Sequence, residues 1–131
     1  MTEYQFIISD ISGANRKLIF TKTLTAIGTM SISPNSWSPD KKYVFLQENR
    51  SGSIYDVLVF KTSGEPFLVT EQYVSVAPLF TNRKTEYYLT DVTGWDSPTL
   101  LHMVTAVDAS KKGPPYWFDV TSQSFIQLES R

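Results

Sequence analysis

The sequence predicts an all-β protein built from short antiparallel sheets. Aromatic residues make up 14% of the 131 residues, a content that favours strands and supplies ample apolar area for a core. Short apolar runs recur along the whole chain, and clusters of Gly, Pro, Asn, Asp and Ser separate them. Many short strands with regular turn signals are typical of β-propellers and β-sandwiches.

The predicted strands pair mainly as hairpins of neighbouring runs. A polar segment, residues 10–15, separates the first two runs, and Thr121-Ser122-Gln123 separates the last two. The run at 54–60 is the clearest strand because it is almost entirely β-branched, aromatic or Leu. The predicted strands comprise residues 4–9, 17–21, 25–32, 43–46, 54–60, 67–69, 73–76, 86–89, 116–120 and 125–128.

Residues 97–113 allow two interpretations. Leu100, Leu101, Val104 and Val107 fall at helical spacing, and Ser97-Pro98 could begin a helix. The alternative is a strand over residues 100–107, which the β-branched content and the sequence repeat described below favour.

Composition narrows the range of functions. The chain is 41% hydrophobic and 19% charged, which indicates a single globular domain over residues 1–131. Its net charge is −1 and its basic residues are scattered, so neither nucleic acid nor an anionic membrane surface is an expected partner. The lack of cysteine excludes disulfides, thiolate catalysis and cysteine-bound zinc.

The N-terminal sequence gives the only indication of cellular location. It has neither a basic segment nor a long apolar segment of the kind that forms a signal peptide. We therefore expect a cytoplasmic protein by default. A periplasmic or extracellular protein whose leader has been removed is the alternative.

Two segments of the chain suggest an internal repeat. Residues 37–46 and 80–89 each combine an aromatic residue, a polar turn and a strand, and their leading aromatics, Trp37 and Phe80, lie 43 residues apart. A period of about 40–45 residues with four strands per unit is typical of β-propeller blades.

The first copy, with Trp37, Pro39, Asp40 and Tyr43, resembles the aromatic-Ser-Pro-Asp-Gly-Lys turn of TolB-type β-propeller repeats, which also occur in prolyl-oligopeptidase-like proteins. The resemblance covers residues 28–70, about one blade. It implies that the turn joins the innermost strand of a blade to the second, and that the tryptophan is buried between neighbouring blades. The copy beginning at Phe80 lacks the Ser-Pro-Asp sequence.

The length of the chain permits about two and a half to three blades, fewer than the ~4–8 of closed propellers. The chain could be part of a longer protein, or two copies could complete one ring. A β-sandwich that uses the same turn chemistry is the alternative fold.

The sequence contains no recognisable catalytic or cofactor-binding motif. His102 is the only histidine, and it lies in an apolar run where a structural role is expected. There is no Gly-x-Ser-x-Gly segment and no glycine-rich phosphate-binding loop. Asp91 and Asp96 are too few and too irregularly spaced for a calcium loop, and turn capping is their expected role. We therefore predict that the chain is not an enzyme and requires neither cofactor nor metal.

Two aromatic segments could form a binding face. Trp95 and Asp96 belong to a polar segment, residues 91–97, that we interpret as a surface loop, and Tyr116 and Trp117 follow two prolines. Exposed Trp and Tyr are common anchors in protein interfaces. We predict a non-catalytic protein-interaction module. The alternatives are a propeller fragment of a prolyl-oligopeptidase-like serine peptidase, a small free-standing inhibitor or host-interaction protein and, more weakly, a carbohydrate-binding protein.

Overall fold

A computed structural model of the chain places its strands in three antiparallel sheets. It describes residues 2–9, 16–24, 28–32, 35–51, 53–67, 73–83 and 86–129. The predicted all-β class is confirmed, and the described part holds no helix long and apolar enough to cross a membrane.

The three sheets are formed by consecutive parts of the chain. An N-terminal hairpin pairs β1 (Thr2–Ile8) with β2 (Lys17–Leu24). The central sheet has the order β3-β4-β5-β6, and the C-terminal sheet has the order β7-β8-β10-β11, with β9 paired to β8. The remaining elements are β3 (Gly28–Ser31), β4 (Tyr43–Arg50), β5 (Ser53–Lys61), β6 (Tyr73–Ser75), α1 (Val76–Thr81), β7 (Tyr88–Trp95), β8 (Leu100–Asp108), β9 (Lys111–Lys112), β10 (Tyr116–Asp119) and β11 (Ser124–Gln127).

Strand β5 is buried on both faces of the central sheet. Val57 and Val59 belong to one apolar cluster, whereas Leu58 and Phe60 belong to another. All four side chains are at most 2% exposed. Successive side chains of a strand point to opposite faces, so the apolar run in β5 packs against a layer on each side. Each such burial contributes about 1.5–3 kcal/mol.

The larger cluster lies between the central and C-terminal sheets. Leu101, Met103, Tyr116 and Phe118 of the C-terminal sheet have no exposed surface, and they belong to the same cluster as Val57 and Val59. Phe80 of α1 also belongs to it, and its ring centroid lies 5.0 Å from that of Tyr116 and 5.2 Å from that of Phe125, both in edge-to-face geometry.

The N-terminal hairpin covers the other face of the central sheet. Phe6 of β1 packs against the second cluster, and its ring centroid lies 6.3 Å from that of Phe60.

A partly buried ion pair lies on β4. Glu48 of β4 is 1% exposed, and its carboxylate oxygen is 3.1 Å from the Arg50 guanidinium. This ion pair offsets the cost of burying the carboxylate.

Most predicted strands are confirmed, including the strand rather than the helix at residues 100–107, which lies within β8. The region before β7 differs from prediction. The strand expected at 73–76 ends at Ser75, and the unpredicted helix α1 leads into the expected polar turn that begins at Asn82. Phe67 lies outside any strand, and residues 68, 69 and 25–27 of the predicted strands fall outside the described residues.

A buried aspartate explains why the chain turns into a helix after β6. Asp56 of β5 is 6% exposed, and its carboxylate accepts hydrogen bonds from Ser75 Oγ at 2.7 Å and from the Ala77 amide at 3.0 Å. It also accepts a bond from the Val57 amide at 2.7 Å. Because the first amides of a helix have no partner within the helix, a carboxylate at this position stabilises its first turn.

We expect Asp56→Ala to lower the free energy of unfolding by about 3 kcal/mol, because the Ser75 hydroxyl and the Ala77 amide lose a charged acceptor. Urea denaturation followed by circular dichroism measures this change. The matched variant Ser75→Ala removes only one of the bonds and should cost about 1 kcal/mol. Equal effects of the two substitutions would show that the carboxylate does not hold the helix.

Candidate functional site

The turn before β4 is held by Ser38 and Asp40. Ser38 Oγ donates a hydrogen bond to Asp40 Oδ1 at 2.8 Å and accepts one from the Tyr43 amide at 3.0 Å. The Lys42 amide donates to the same Asp40 oxygen at 3.1 Å. Lys41 has a φ of 61°, in the left-handed region that favours glycine. These bonds, with Pro39 fixing one backbone angle, define a rigid turn between β3 and β4.

Trp95 packs between the two larger sheets, in the kind of position for which the resemblance expects Trp37. Trp95 is half-buried between the two larger sheets, and its ring stacks on Tyr43 with 6.1 Å between centroids. Its Nε1 donates to the Ser36 carbonyl at 2.9 Å. Trp37 is 40% exposed. The predicted surface loop at Trp95 is therefore wrong, because β7 extends to this residue and carries it into the contact between sheets.

The two sequence segments that suggest a repeat adopt different conformations. Trp37 forms an isolated β-bridge with Val44 beside the turn, whereas Phe80 is a buried residue of α1. The prediction that Trp37 and Phe80 hold the same position in two repeats is therefore wrong for their secondary structure. Phe80 is drawn into the core by its contacts with Tyr116 and Phe125.

The predicted binding residues separate into buried and exposed groups. Tyr116 is fully buried, and its hydroxyl donates to Gln127 Oε1 at 3.1 Å, so it is a core residue rather than a surface anchor. Trp117, the next residue on β10, points to the opposite face of the sheet. Its Nε1 donates to Asp96 Oδ2 at 2.7 Å. The structure thus brings Asp96 and Trp117 together, as a polar contact on the outside of the C-terminal sheet.

Four side chains form a row across this outer face. His102 pairs with Trp117, and Trp117 pairs with Ile126 in the strand register, while Thr93 reaches His102 from a bulge in β7. We call Thr93, His102, Trp117 and Ile126 the outer row. Ile126 is 44% exposed, and no described layer covers the row. Sequence reasoning missed three of its members because only strand register shows that they are neighbours.

Three polar atoms of the outer row already have hydrogen-bond partners in the C-terminal part of the chain. Thr93 Oγ1 lies 2.8 Å from His102 Nδ1, and the Trp117 indole N–H is held by Asp96. Covering a polar group costs free energy mainly when its hydrogen bonds are lost. These internal bonds therefore lower the cost of burying the row under another apolar surface.

The arrangement gives little support for catalysis. Thr93 and His102 are a hydroxyl and an imidazole in contact, the minimum of a nucleophile–base pair. They lie on an open sheet face, and within the described ranges no carboxylate hydrogen-bonds to His102. In that same part of the chain, no three His, Asp or Glu residues come close enough together to hold a metal ion.

Comparisons of the chain with protein-family models, curated proteins and solved structures find no match.

The turn network has a measurable consequence for Asp40. The hydrogen bond from Ser38, followed by that from the Lys42 amide, lowers the pKa of Asp40 below its usual value of 3.8. A carboxyl with a lowered pKa in the folded protein stabilises the fold above its unfolded pKa, and this contribution is lost as the pH falls through the folded pKa. We expect Ser38→Ala to raise the pKa of Asp40, measured by carbon-13 NMR titration of the carboxyl group.

Asp119 provides an internal control in the same titration. The Thr121 hydroxyl lowers the pKa of Asp119 in a different turn, so Ser38→Ala should leave Asp119 unchanged. An Asp40 pKa that does not respond to Ser38→Ala would contradict the assigned turn network.

Proposed function

We propose that the chain is a non-catalytic protein-binding module whose partner packs a β-sheet face against the outer row. One observation carries this proposal: a row that includes Trp117 and Ile126 crosses the C-terminal sheet with no described layer over it, and its Thr93–His102 contact and the Trp117 N–H are already hydrogen-bonded. Trp117 gives the row a large side chain of the type that contributes most to binding in protein interfaces.

The packing within the molecule supports a sheet face as the complementary surface. The central sheet packs one face on the N-terminal hairpin and the other on the C-terminal sheet. The C-terminal sheet has an apolar inner face and a partly apolar outer face, with Trp117 and Ile126 on the outside. A further sheet stacked on this face would continue the same layered arrangement.

The strand order supports the propeller-type interpretation of the sheets. The central sheet and the main path of the C-terminal sheet each contain four antiparallel strands in sequence order, as propeller blades do. The turn with Trp37, Pro39 and Asp40 connects the first strand of the central sheet to the second, where the TolB-type resemblance expects it. On this interpretation the N-terminal hairpin is half a blade, and a partner extends the stack.

A second copy of the chain is the simplest partner to test. In a two-fold symmetric dimer, the outer rows of the two copies would face each other. Each copy then supplies the sheet face that the other requires. The net charge of −1 gives little electrostatic repulsion between copies.

We expect light scattering to give a mass of two chains, each of 14.9 kDa, and Ile126→Glu to convert the protein to single chains. A charge placed within the row would be buried without a partner in the dimer. The control Ile32→Glu adds the same charge at a side chain that is 62% exposed and lies just after β3, outside the row, and should leave the mass unchanged.

The binding function is tested separately if the native protein is a single chain. Capture of one host protein by the native chain and not by Ile126→Glu would support the module with a different partner. The proposal would be contradicted if the native protein is a single chain and captures only proteins that the Ile126→Glu variant also captures.

A further inference from the structure

A polar cleft lies between the turn before β4 and the end of β7. Its volume is about 320 Å³, near the lower limit for small-molecule pockets. Asn35 and Trp37 line it from the side of the turn, and Gly94, Trp95 and Asp96 line it from the side of the C-terminal sheet. The cleft is therefore built where the two larger sheets meet, and Thr93 is its one lining residue that also belongs to the outer row.

Packing between the sheets does not account for the position of Trp37. The indole of Trp37 is 40% exposed, whereas Trp95 supplies the contact between the sheets. Within the described part of the chain, the Trp37 N–H has no hydrogen-bond acceptor. A large apolar ring kept at the surface, beside polar groups and against the expectation of burial, is a feature of ligand-binding sites.

Gly94 keeps the floor of the cleft open. Its φ is 133°, and a Cβ at this position would lie 2.8 Å from the Asn35 Cβ. A side chain at residue 94 would be strained and would press against the opposite wall. The glycine therefore allows the two walls to approach while the space above them remains accessible.

A fixed carboxylate stands opposite the exposed indole. The hydrogen bond from Trp117 Nε1 holds Asp96 Oδ2 at 2.7 Å, which orients the carboxylate and leaves Oδ1 as an acceptor. Asn35 adds an amide that can both donate and accept. The negative charge disfavours phosphate and other anions.

We propose that this cleft binds a neutral sugar residue of a glycan. The apolar C–H face of a pyranose packs on the flat Trp37 ring, and its hydroxyl groups bond to Asp96 and Asn35. This function goes beyond the protein-binding role, since the sugar would stack on Trp37, which lies outside the outer row. A single small site with few hydrogen bonds should bind weakly, with a Kd of about 1–10 mM.

NMR of the full chain titrated with the methyl glycosides of glucose, galactose, mannose and N-acetylglucosamine tests the proposal. The three tryptophans give three indole N–H signals. We expect at least one glycoside to shift the Trp37 signal in a saturable way, while the Trp95 signal, whose N–H is bonded to Ser36, moves less. N-acetylneuraminic acid, a charged control, should cause no saturable shift.

Two variants separate a binding site from a structural effect. Asp96→Asn keeps the size of the side chain and an oxygen for Trp117, yet we expect it to weaken binding at least about tenfold. Trp37→Ala should abolish binding, read from the loss of any saturable shift of the Gly94 and Asp96 backbone amide signals, with the light-scattering mass unchanged. Tyr88→Ala, which removes another exposed aromatic at 47% exposure, should bind as the native chain does. No saturable shift with any of the four glycosides, or unchanged binding by Asp96→Asn, would overturn the proposal.

Discussion

The burial of β5 on both faces is the constraint on which the rest of the structure depends. Val57 and Val59 require an apolar layer on one side, and Leu58 and Phe60 require another on the opposite side. The C-terminal sheet and the N-terminal hairpin meet these two requirements. The C-terminal sheet covers β5 with its inner face. Its outer face is then left without a described layer against it.

Most of the strands can be predicted because a strand is determined largely by residues that are close together in the sequence. The hairpins at the two ends of the chain follow from alternating apolar residues and turn-forming residues between them. Helix α1 could not be predicted in this way. Asp56 stabilises its first turn through Ser75 and Ala77, which lie about twenty residues later in the chain, so the helix depends on a contact that only the folded sheet creates.

The tryptophans show the same limit for the candidate sites. Trp37 and Trp95 both precede turns that contain Ser and Pro, and nothing local distinguishes the indole that will pack between the sheets. The choice depends on strand β7, which brings Trp95 against Tyr43 of another sheet. Likewise, Trp117 and Asp96 are predictable as candidates, but their hydrogen bond depends on strand register, as does the position of His102 beside Trp117.

Amide hydrogen exchange measured by NMR tests the layered burial most directly. Strands with the most buried neighbours exchange only when the whole domain unfolds, whereas edge strands also exchange through local opening. The account predicts that the amide protons of Val57, Leu58, Val59 and Phe60 are among the slowest to exchange, and that those of β11 exchange faster. Exchange of the β5 amides as fast as those of β11 would contradict a central sheet enclosed by two layers.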